Sequence, residues 1–352
     1  MIFSPQEISH MGFICSLITQ YHDGCQEAIN KLEEKRIRTP EQIEKMRHAV
    51  ECNSIFFQYI ITKATTVFHS KVSTAGFEIP LVSDPPPLNN QDLSELSDIL
   101  KEAAFSWTSI GDEERFHHYE PIMKAIHTYT PANGIVFVPG AKLCRLACEI
   151  AAQNYTVFAN ESDFVFLDLS QIAIKTNKKF EIFPFLHQIS GLDDPDHALI
   201  SASFPRSGKS FLSLEQSNDA PELQLNPKQL IADGKIFFLG CNFGAVLHQK
   251  PEQFDSIVTS FFLDNLKNPF NAINLIHKIA KPDGIWINFG PIIPRSQGSD
   301  FFSLETLEDI DDIAQQIGWT KLHEERIQTT NHENPYSHMK TFLNCKLTVF
   351  KK

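Results

Sequence analysis

The sequence lacks several features that mark whole classes of protein. Its 352 residues contain no run of roughly 18 apolar residues, and the opening segment MIFSPQEISHMGF does not have the order of regions found in a secretory signal. The seven cysteines include no C-x-x-C pair, so their spacing predicts neither a disulfide framework nor a metal site. We therefore expect an intracellular protein, located in the cytoplasm and with a nuclear location left open. We expect it neither to enter a membrane nor to bind a metal.

Clusters of positive charge are also scarce. The formal net charge is −12, and only NKLEEKRIR and TNKKF concentrate lysine and arginine. A nucleic-acid-binding protein needs a basic face that neutralises phosphates, so nucleic acid is not an expected partner. The expected partner is a small molecule or a peptide, while a further protein or a second copy of the chain stays open.

The first 110 residues show the pattern of an all-helical region. Segments that begin SPQEISHMGF, TPEQIEKMRH and NNQDLSELSD carry helix-start signals, and Thr39 before Pro40 is a predicted N-cap. The connector VSDPPPLNNQ separates the second helix from the third, because consecutive prolines cannot continue a helix. We predict a helical N-terminal domain over residues 1–110.

Residues 111–352 alternate apolar strand-like runs with helical segments. The runs are GIVFVPG, YTVFANE, KIFFLG, FDSIVTSFFLD and GIWINFG, and CKLTVFKK is a last strand. Such alternation predicts one α/β domain built on an open, mostly parallel sheet with helices on both faces. Residues 188–234 are rich in Pro and Asp and are predicted to leave the sheet as an insertion or lid.

Candidate binding residues follow the predicted strands, because open α/β sheets bind ligands beyond the carboxyl ends of their strands. Gly140 and Ala141 follow the first strand, and Glu161 ends the second, at the spacing of about 20 residues where an acid accepts ribose hydroxyls. Asp264 follows a later strand. Two plainer interpretations stay open: Glu161 as a helix N-cap and Asp264 as an ordinary loop acid.

The segment before the first strand offers further polar residues. Glu114 and Arg115 are either cofactor contacts or an ordinary solvated helix pair. His117 and His118 lack the spacing of helical metal ligands, so we predict exposed or capping roles for them.

Six blocks give the sequence a more specific likeness: SWTSIGDEERFHHYEPI, VPGAKLCRLACEIA, NESDFVFL, FPFLHQIS, FDSIVTSFFLDNLKN and GIWINFGPI. In this order they resemble the blocks of the carnosine N-methyltransferase family, also called the N2227-like family. The resemblance implies a Rossmann-like class I methyltransferase sheet, mostly parallel with its last strand antiparallel, and a helical N-terminal region. It also implies transfer of a methyl group from S-adenosyl-L-methionine to an imidazole nitrogen of a histidine-containing dipeptide, peptide or protein.

The resemblance assigns roles to particular residues. The implied contacts of the cofactor S-adenosyl-L-methionine are Glu114, Arg115, Gly140, Ala141, Glu161, Asn242, Phe243 and Ser260. Asp264 is implied as both a substrate-binding and a catalytic residue. A carboxylate that accepts from one imidazole N–H leaves the other nitrogen nucleophilic and stabilises the positive charge that develops on the ring. Arg295 and Phe342 are the other implied substrate contacts.

Several positions depart from the family pattern. Lys142 and Cys144 replace two glycines of a V-P-G-A-G-L-G-R turn, and a positive φ there costs a non-glycine residue on the order of 1 kcal/mol. Asn242 stands where the family has an acid, Arg295 where it has a histidine, and Phe342 where it has a run of tyrosines. These departures leave a second function open, in which the fold has lost turnover and serves as a binding or scaffold protein.

Overall fold

A computed structural model gives the fold of the chain. It describes residues 5–72, 86–206, 210, 225–248, 252–266, 268–292 and 306–352, with the side chains of 5–8 and 63–72 left aside. The predicted insertion or lid at 188–234 falls partly outside these residues and stays a prediction.

Helices and strands alternate over the second half of the described chain. The α-helices are α1 (Pro5–Glu34), α2 (Pro40–Val72), α3 (Asn90–Trp107), α4 (Asp112–Tyr129), α5 (Arg145–Ala152), α6 (Phe164–Lys175), α7 (Pro227–Ala232), α8 (Pro269–Ile279) and α9 (Leu307–Ile317). The strands are β1 (Ile135–Pro139), β2 (Thr156–Glu161), β3 (Phe180–Ile182), β4 (Ala202–Phe204), β5 (Ile236–Gly240), β6 (Phe254–Ser260), β7 (Ala280–Gly290), β8 (Thr320–Thr329) and β9 (Leu343–Lys351).

The chain forms two compact units that interleave in sequence. The first contains residues 1–112, 163–207 and 332–341, and the second contains residues 113–162, 208–331 and 342–352. The division into a domain of residues 1–110 and a domain of residues 111–352 stays a prediction.

The first unit is mainly helical and contains α1, α2, α3 and α6. Thr39 caps α2 as expected: its hydroxyl accepts from the Gln42 backbone N–H at 3.2 Å, and the Gln42 side chain accepts from the Thr39 N–H in return. An aromatic core joins α2 to the two-stranded β3–β4 ladder, where Phe56 lies edge-on to Phe180 and Phe204 with ring centroids 5.6 and 5.2 Å away. Burial of these rings is the main stabilising contribution at this contact.

The second unit contains a seven-stranded sheet in the order β5-β2-β1-β6-β7-β9-β8. The pairs β5–β2, β2–β1, β1–β6 and β6–β7 are parallel, whereas β9 runs antiparallel to both of its neighbours. The central strands are buried on both faces, which explains why they read as continuous apolar runs in the sequence. The predicted Rossmann-like sheet, mostly parallel with an antiparallel last strand, is confirmed.

The sequence analysis missed three strands: β3 and β4, of three residues each, and the longer β8. β8 is the sheet edge, and its sequence TKLHEERIQT exposes nearly every side chain to solvent. An exposed edge strand needs no apolar alternation, and charged side chains there discourage pairing with other chains. The period-two signal on which strand prediction depends is therefore missing.

Across the described residues, no helix is both long enough and apolar enough to span a bilayer.

Candidate functional site

The strand order places a crevice at the carboxyl end of the sheet. β1 and β6 are adjacent parallel strands, and the chain leaves β1 towards β2 on one side but leaves β6 towards β7 on the other. Loops that depart in opposite directions open a gap between them, which is where ligands bind in open α/β sheets. The predicted site residues must therefore be located around the ends of these two strands.

The loop after β1 has an unusual backbone. Gly140, Lys142 and Cys144 have φ values of 61°, 46° and 59°, so three of five consecutive residues are left-handed. The Ala141 N–H donates to the Asn160 carbonyl at 2.9 Å, which ties this loop to the end of β2. Lys142 and Cys144, which replace two glycines of the family pattern, thus have the positive φ that the sequence analysis anticipated.

Gly140 is required for a second reason. A Cβ atom at this position would lie 2.5 Å from Phe262 Cδ2. Phe262 follows β6 and is buried, so its ring closes over the backbone of the β1 loop. The two loops at the switch point are packed directly on each other, and only a glycine permits this approach.

Glu161 ends β2 and is buried beside the same loop, with 8% of its surface exposed. One carboxylate oxygen accepts from the Lys142 N–H at 2.8 Å, and the other accepts from the Ser162 N–H at 2.7 Å. The alternative role as a helix N-cap is wrong, because Asp163 caps α6 by accepting from the Val165 and Phe166 N–H groups. Glu161 is instead the acid that holds the left-handed loop at the crevice.

The end of β5 adjoins β2 on the far side of this acid. The Asn160 amide donates to the carbonyls of Leu239 and Cys241 at 3.0 and 2.7 Å. Asn242 is exposed, and its side-chain oxygen accepts from the Gly244 N–H at 2.9 Å. The ring of Phe243 lies between the core and the β6 loop, 6.1 Å from Phe137 and 5.3 Å from Phe262.

Asp264 lies on the short 3₁₀ helix Leu263–Asn265 that follows β6, and it is half-buried. Burial, together with the negative charge of Asp264, raises the pKa of the Cys345 thiol on β9 to about 12. The carboxylate therefore lies within electrostatic range of a buried β9 residue. Ser260, the last residue of β6, is half-buried at the same edge.

The first turns of α4 also lie against this edge. The Thr330 hydroxyl, just after β8, donates to Glu114 at 3.3 Å, and the carbonyl of Thr330 is 3.0 Å from His118 Nε2. Because a carbonyl only accepts, Nε2 carries the proton. The His118 ring centroid is 4.8 Å from that of Phe261 after β6 and 5.9 Å from that of Phe289 near the end of β7.

The expectation of an exposed or capping His118 is wrong, since only 8% of this residue is exposed. Glu114 and Arg115 are likewise buried, at 8% and 5%, so they are not a solvated pair. Positions 114, 118, 122 and 126 recur every four residues along one face of α4. The spacing of Glu114 and His118 from the apolar Ile122 and Ile126 could therefore have predicted that both are buried. The polar identity of the first two concealed it.

The structure thus brings together most of the predicted positions at one edge of the sheet. Glu114, Gly140, Ala141, Glu161, Phe243, Ser260 and Asp264 lie on or beside the loops at the carboxyl ends of β1, β2, β5, β6 and β8. Phe342, by contrast, is 59% exposed and immediately precedes β9. Arg295 lies outside the described residues.

Comparison with known proteins identifies the family of the chain. The family model described as Carnosine N-methyltransferase matches residues 83–352, well over half of the chain. The carnosine N-methyltransferase of Mus musculus is 25% identical, with 98% of this chain and 86% of that protein covered. The carnosine N-methyltransferase of Schizosaccharomyces pombe is 24% identical, with 82% of this chain and 76% of that protein covered.

Solved structures also match. A SAM dependent methyltransferase from Aquifex aeolicus has a TM-score of 0.38 at 9% identity and covers 68% of this chain and 92% of its own. Phosphoethanolamine N-methyltransferase 2 from Haemonchus contortus, in complex with S-adenosyl-L-methionine, has a TM-score of 0.38 at 12% identity and covers 66% of this chain and 52% of its own. On the family match over residues 83–352, the chain belongs to the carnosine N-methyltransferase family.

Proposed function

We propose that this protein is an S-adenosyl-L-methionine-dependent N-methyltransferase that methylates an imidazole nitrogen of a carnosine-like, histidine-containing dipeptide. Histidine-containing peptides and proteins are further acceptors under the same proposal. The observation that carries it is the position of Glu161, fixed at the sheet switch point by two backbone N–H groups next to the left-handed loop. Family membership supplies the reaction class.

The described residues fit the cofactor. S-adenosyl-L-methionine supplies the methyl group when it is bound. Each oxygen of Glu161 accepts one backbone N–H, and since a carboxylate oxygen can accept more than one hydrogen bond, we assign the ribose hydroxyls to this acid. Gly140 lets Phe262 pack on the loop after β1, and Ala141 and Ser260 are small residues at the ends of β1 and β6. Asn242 and Phe243 supply an amide and an aromatic ring beside this loop for the adenine.

Glu114 and Arg115 contribute fixed charges to the same edge. Both are buried in the first turns of α4, and the Glu114 carboxylate is held by the Thr330 hydroxyl. A buried side chain already oriented by its neighbours binds a ligand without a further loss of rotamer freedom. We assign this pair to the part of the cofactor site nearest β6 and β8.

Asp264 is the proposed catalytic residue. Its carboxylate accepts the imidazole N–H of the acceptor, which fixes the tautomer and directs the other ring nitrogen at the methyl group. Its negative charge stabilises the positive ring that forms when the nitrogen gains a methyl group. Arg295 is proposed to bind an acceptor carboxylate, and the exposed Phe342 to contact the acceptor from the chain segment before β9.

A methyl-transfer assay with labelled S-adenosyl-L-methionine tests this role. Asp264→Asn keeps the size of the side chain but loses the charge, so we expect kcat/KM for carnosine to fall about 100-fold or more. Binding of the cofactor, measured by calorimetry, stays as in the natural protein. Asp312→Asn, at an exposed acid on α9, is the matched control and keeps full activity.

Two results contradict the proposal in different ways. Undiminished turnover by Asp264→Asn removes this residue from the mechanism and leaves the reaction class intact. Failure of the natural protein to bind S-adenosyl-L-methionine at millimolar concentration contradicts the methyltransferase itself, and supports a fold that has lost turnover.

A further inference from the structure

A cluster of ligand-forming side chains lies in the first unit, apart from the residues assigned to methyl transfer. His48 and Cys52 are four residues apart on α2, and Glu181 is the middle residue of β3. Residues at this spacing project from the same face of a helix. The side chains of an imidazole, a thiol and a carboxylate thus converge from two elements of secondary structure.

The three atoms that converge form a nearly equilateral triangle. His48 Nε2 is 3.6 Å from Cys52 Sγ and 3.6 Å from Glu181 Oε2, and Cys52 Sγ is 3.9 Å from Glu181 Oε2. An imidazole–carboxylate hydrogen bond is shorter, at about 2.7–3.2 Å. His48 Nε2 and Glu181 Oε2 are thus within ion-pair distance but too far apart for a direct hydrogen bond, and the Cys52 thiol is within sulfur hydrogen-bonding distance of both.

The same spacing fits a coordination polyhedron. In a tetrahedral zinc site with ordinary bond lengths, the N–S and S–O edges are each about 3.6 Å and the N–O edge is about 3.4 Å. The observed edges exceed these values by at most about 0.3 Å, which small rotations of long side chains can close. Three protein ligands leave the fourth position to water.

Ligand type and accessibility agree with this geometry. Imidazole nitrogen, thiolate sulfur and carboxylate oxygen are the ligands that Zn²⁺ uses in proteins, and Ca²⁺ and Mg²⁺ prefer all-oxygen sites. The side chains of His48 and Glu181 are 61% and 48% exposed, so an ion has an open path to them. The ring of Phe183 lies edge-on to the His48 ring at 5.9 Å and limits its rotation.

We propose that His48, Cys52 and Glu181 bind a divalent metal ion of the zinc class, held to α2 and β3 together. The bound ion would cross-link α2 to β3, one strand of the two-stranded sheet in the first unit. Binding to the folded protein alone stabilises it by mass action. The sequence analysis expected no metal. It considered only the spacing of the cysteines, whereas Glu181 lies 129 residues from Cys52 in the chain.

Titration of the full, untagged, metal-free chain with Zn²⁺ and with Co²⁺ tests the proposal. We expect one ion bound per chain, a rise in the unfolding temperature with Zn²⁺, and a thiolate-to-metal charge-transfer band with Co²⁺. Cys52→Ser removes the band, and both Cys52→Ser and His48→Gln weaken Zn²⁺ binding at least about tenfold, since even groups that only support a ligand have such effects.

Matched controls distinguish this site from adventitious binding. Cys241→Ser removes another partly exposed thiol, and His323→Gln removes an exposed imidazole that lies 3.9 Å from a glutamate. Both controls keep the affinity and stoichiometry for Zn²⁺. The proposal is overturned if the natural chain shows no saturable binding, or if Cys52→Ser and His48→Gln bind Zn²⁺ as the natural chain does. Circular dichroism confirms that each variant is folded.

Discussion

In the left-handed loop after β1, glycine is expected to stabilise the protein relative to alanine at Lys142 but to destabilise it at the neighbouring Ala141. Lys142 has a φ of 46°, and a residue with a Cβ atom in this region is destabilised by about 1–2 kcal/mol. Glycine avoids that cost. It also gives the unfolded chain more conformational freedom, which lowers the free energy of unfolding by about 0.4–1 kcal/mol. We therefore expect Lys142→Gly to be about 1 kcal/mol more stable than Lys142→Ala.

The comparison of glycine with alanine isolates the backbone. Both substitutions remove every interaction of the Lys142 side chain, so the difference between them reports φ alone. The same comparison at Cys144, with a φ of 59°, has the same sign. Ala141 directly precedes Lys142 and is not among the residues with a positive φ, so Ala141→Gly is expected to destabilise the protein by roughly 0.5–1 kcal/mol.

Thermal unfolding measures these differences directly. A change of 1 kcal/mol shifts Tm by about 2–4 °C in a domain of 150–250 residues. The reasoning is refuted if Lys142→Gly and Lys142→Ala melt together, or if Ala141→Gly raises Tm as Lys142→Gly does. Either result means that left-handed geometry does not limit stability in this loop.

Two further changes follow from packing and from protonation. Gly140→Ala places a methyl group against the Phe262 ring at a positive φ, so we expect a loss of about 1–3 kcal/mol in unfolding free energy and weaker cofactor binding. Wild-type Tm and affinity in this variant would contradict the close approach. Burial lowers the pKa of His187 to about 4, while the unfolded chain titrates at about 6.5. The unfolded state therefore binds the extra proton, and the stability present above pH 6.5 is lost as pH falls towards 4. Urea unfolding should show a loss of about 2 kcal/mol between pH 7 and pH 5 from this group, which His187→Gln removes, and equal pH slopes in both proteins would contradict it.

Much of the fold could be predicted because its signals are local. The buried strands β1, β6 and β7 are continuous apolar runs, and Thr39 with Pro40 marks the start of α2. The sheet edge β8 could not be predicted because its exposed side chains carry no periodic signal. Local rules work where burial determines the residue type and fail where solvent allows any polar residue.

The candidate site was predictable only in part, for a related reason. Residues at the ends of parallel strands meet at one edge, so Gly140, Glu161 and Asp264 could be grouped from their positions in the chain. The ring of Phe262 over Gly140 and the burial of His118 depend on contacts between distant segments. No spacing rule along the sequence encodes such contacts.

The central claim is that Glu161 holds the cofactor at the switch point of the sheet. Calorimetric titration with S-adenosyl-L-methionine tests it in Glu161→Gln, with Glu308→Gln at an exposed position of α9 as the matched control. A charged hydrogen-bond acceptor contributes about 1.5–3 kcal/mol, so we predict one cofactor per chain in the natural protein and binding about 10- to 100-fold weaker in Glu161→Gln alone. Equal affinity in Glu161→Gln and Glu308→Gln would contradict the account.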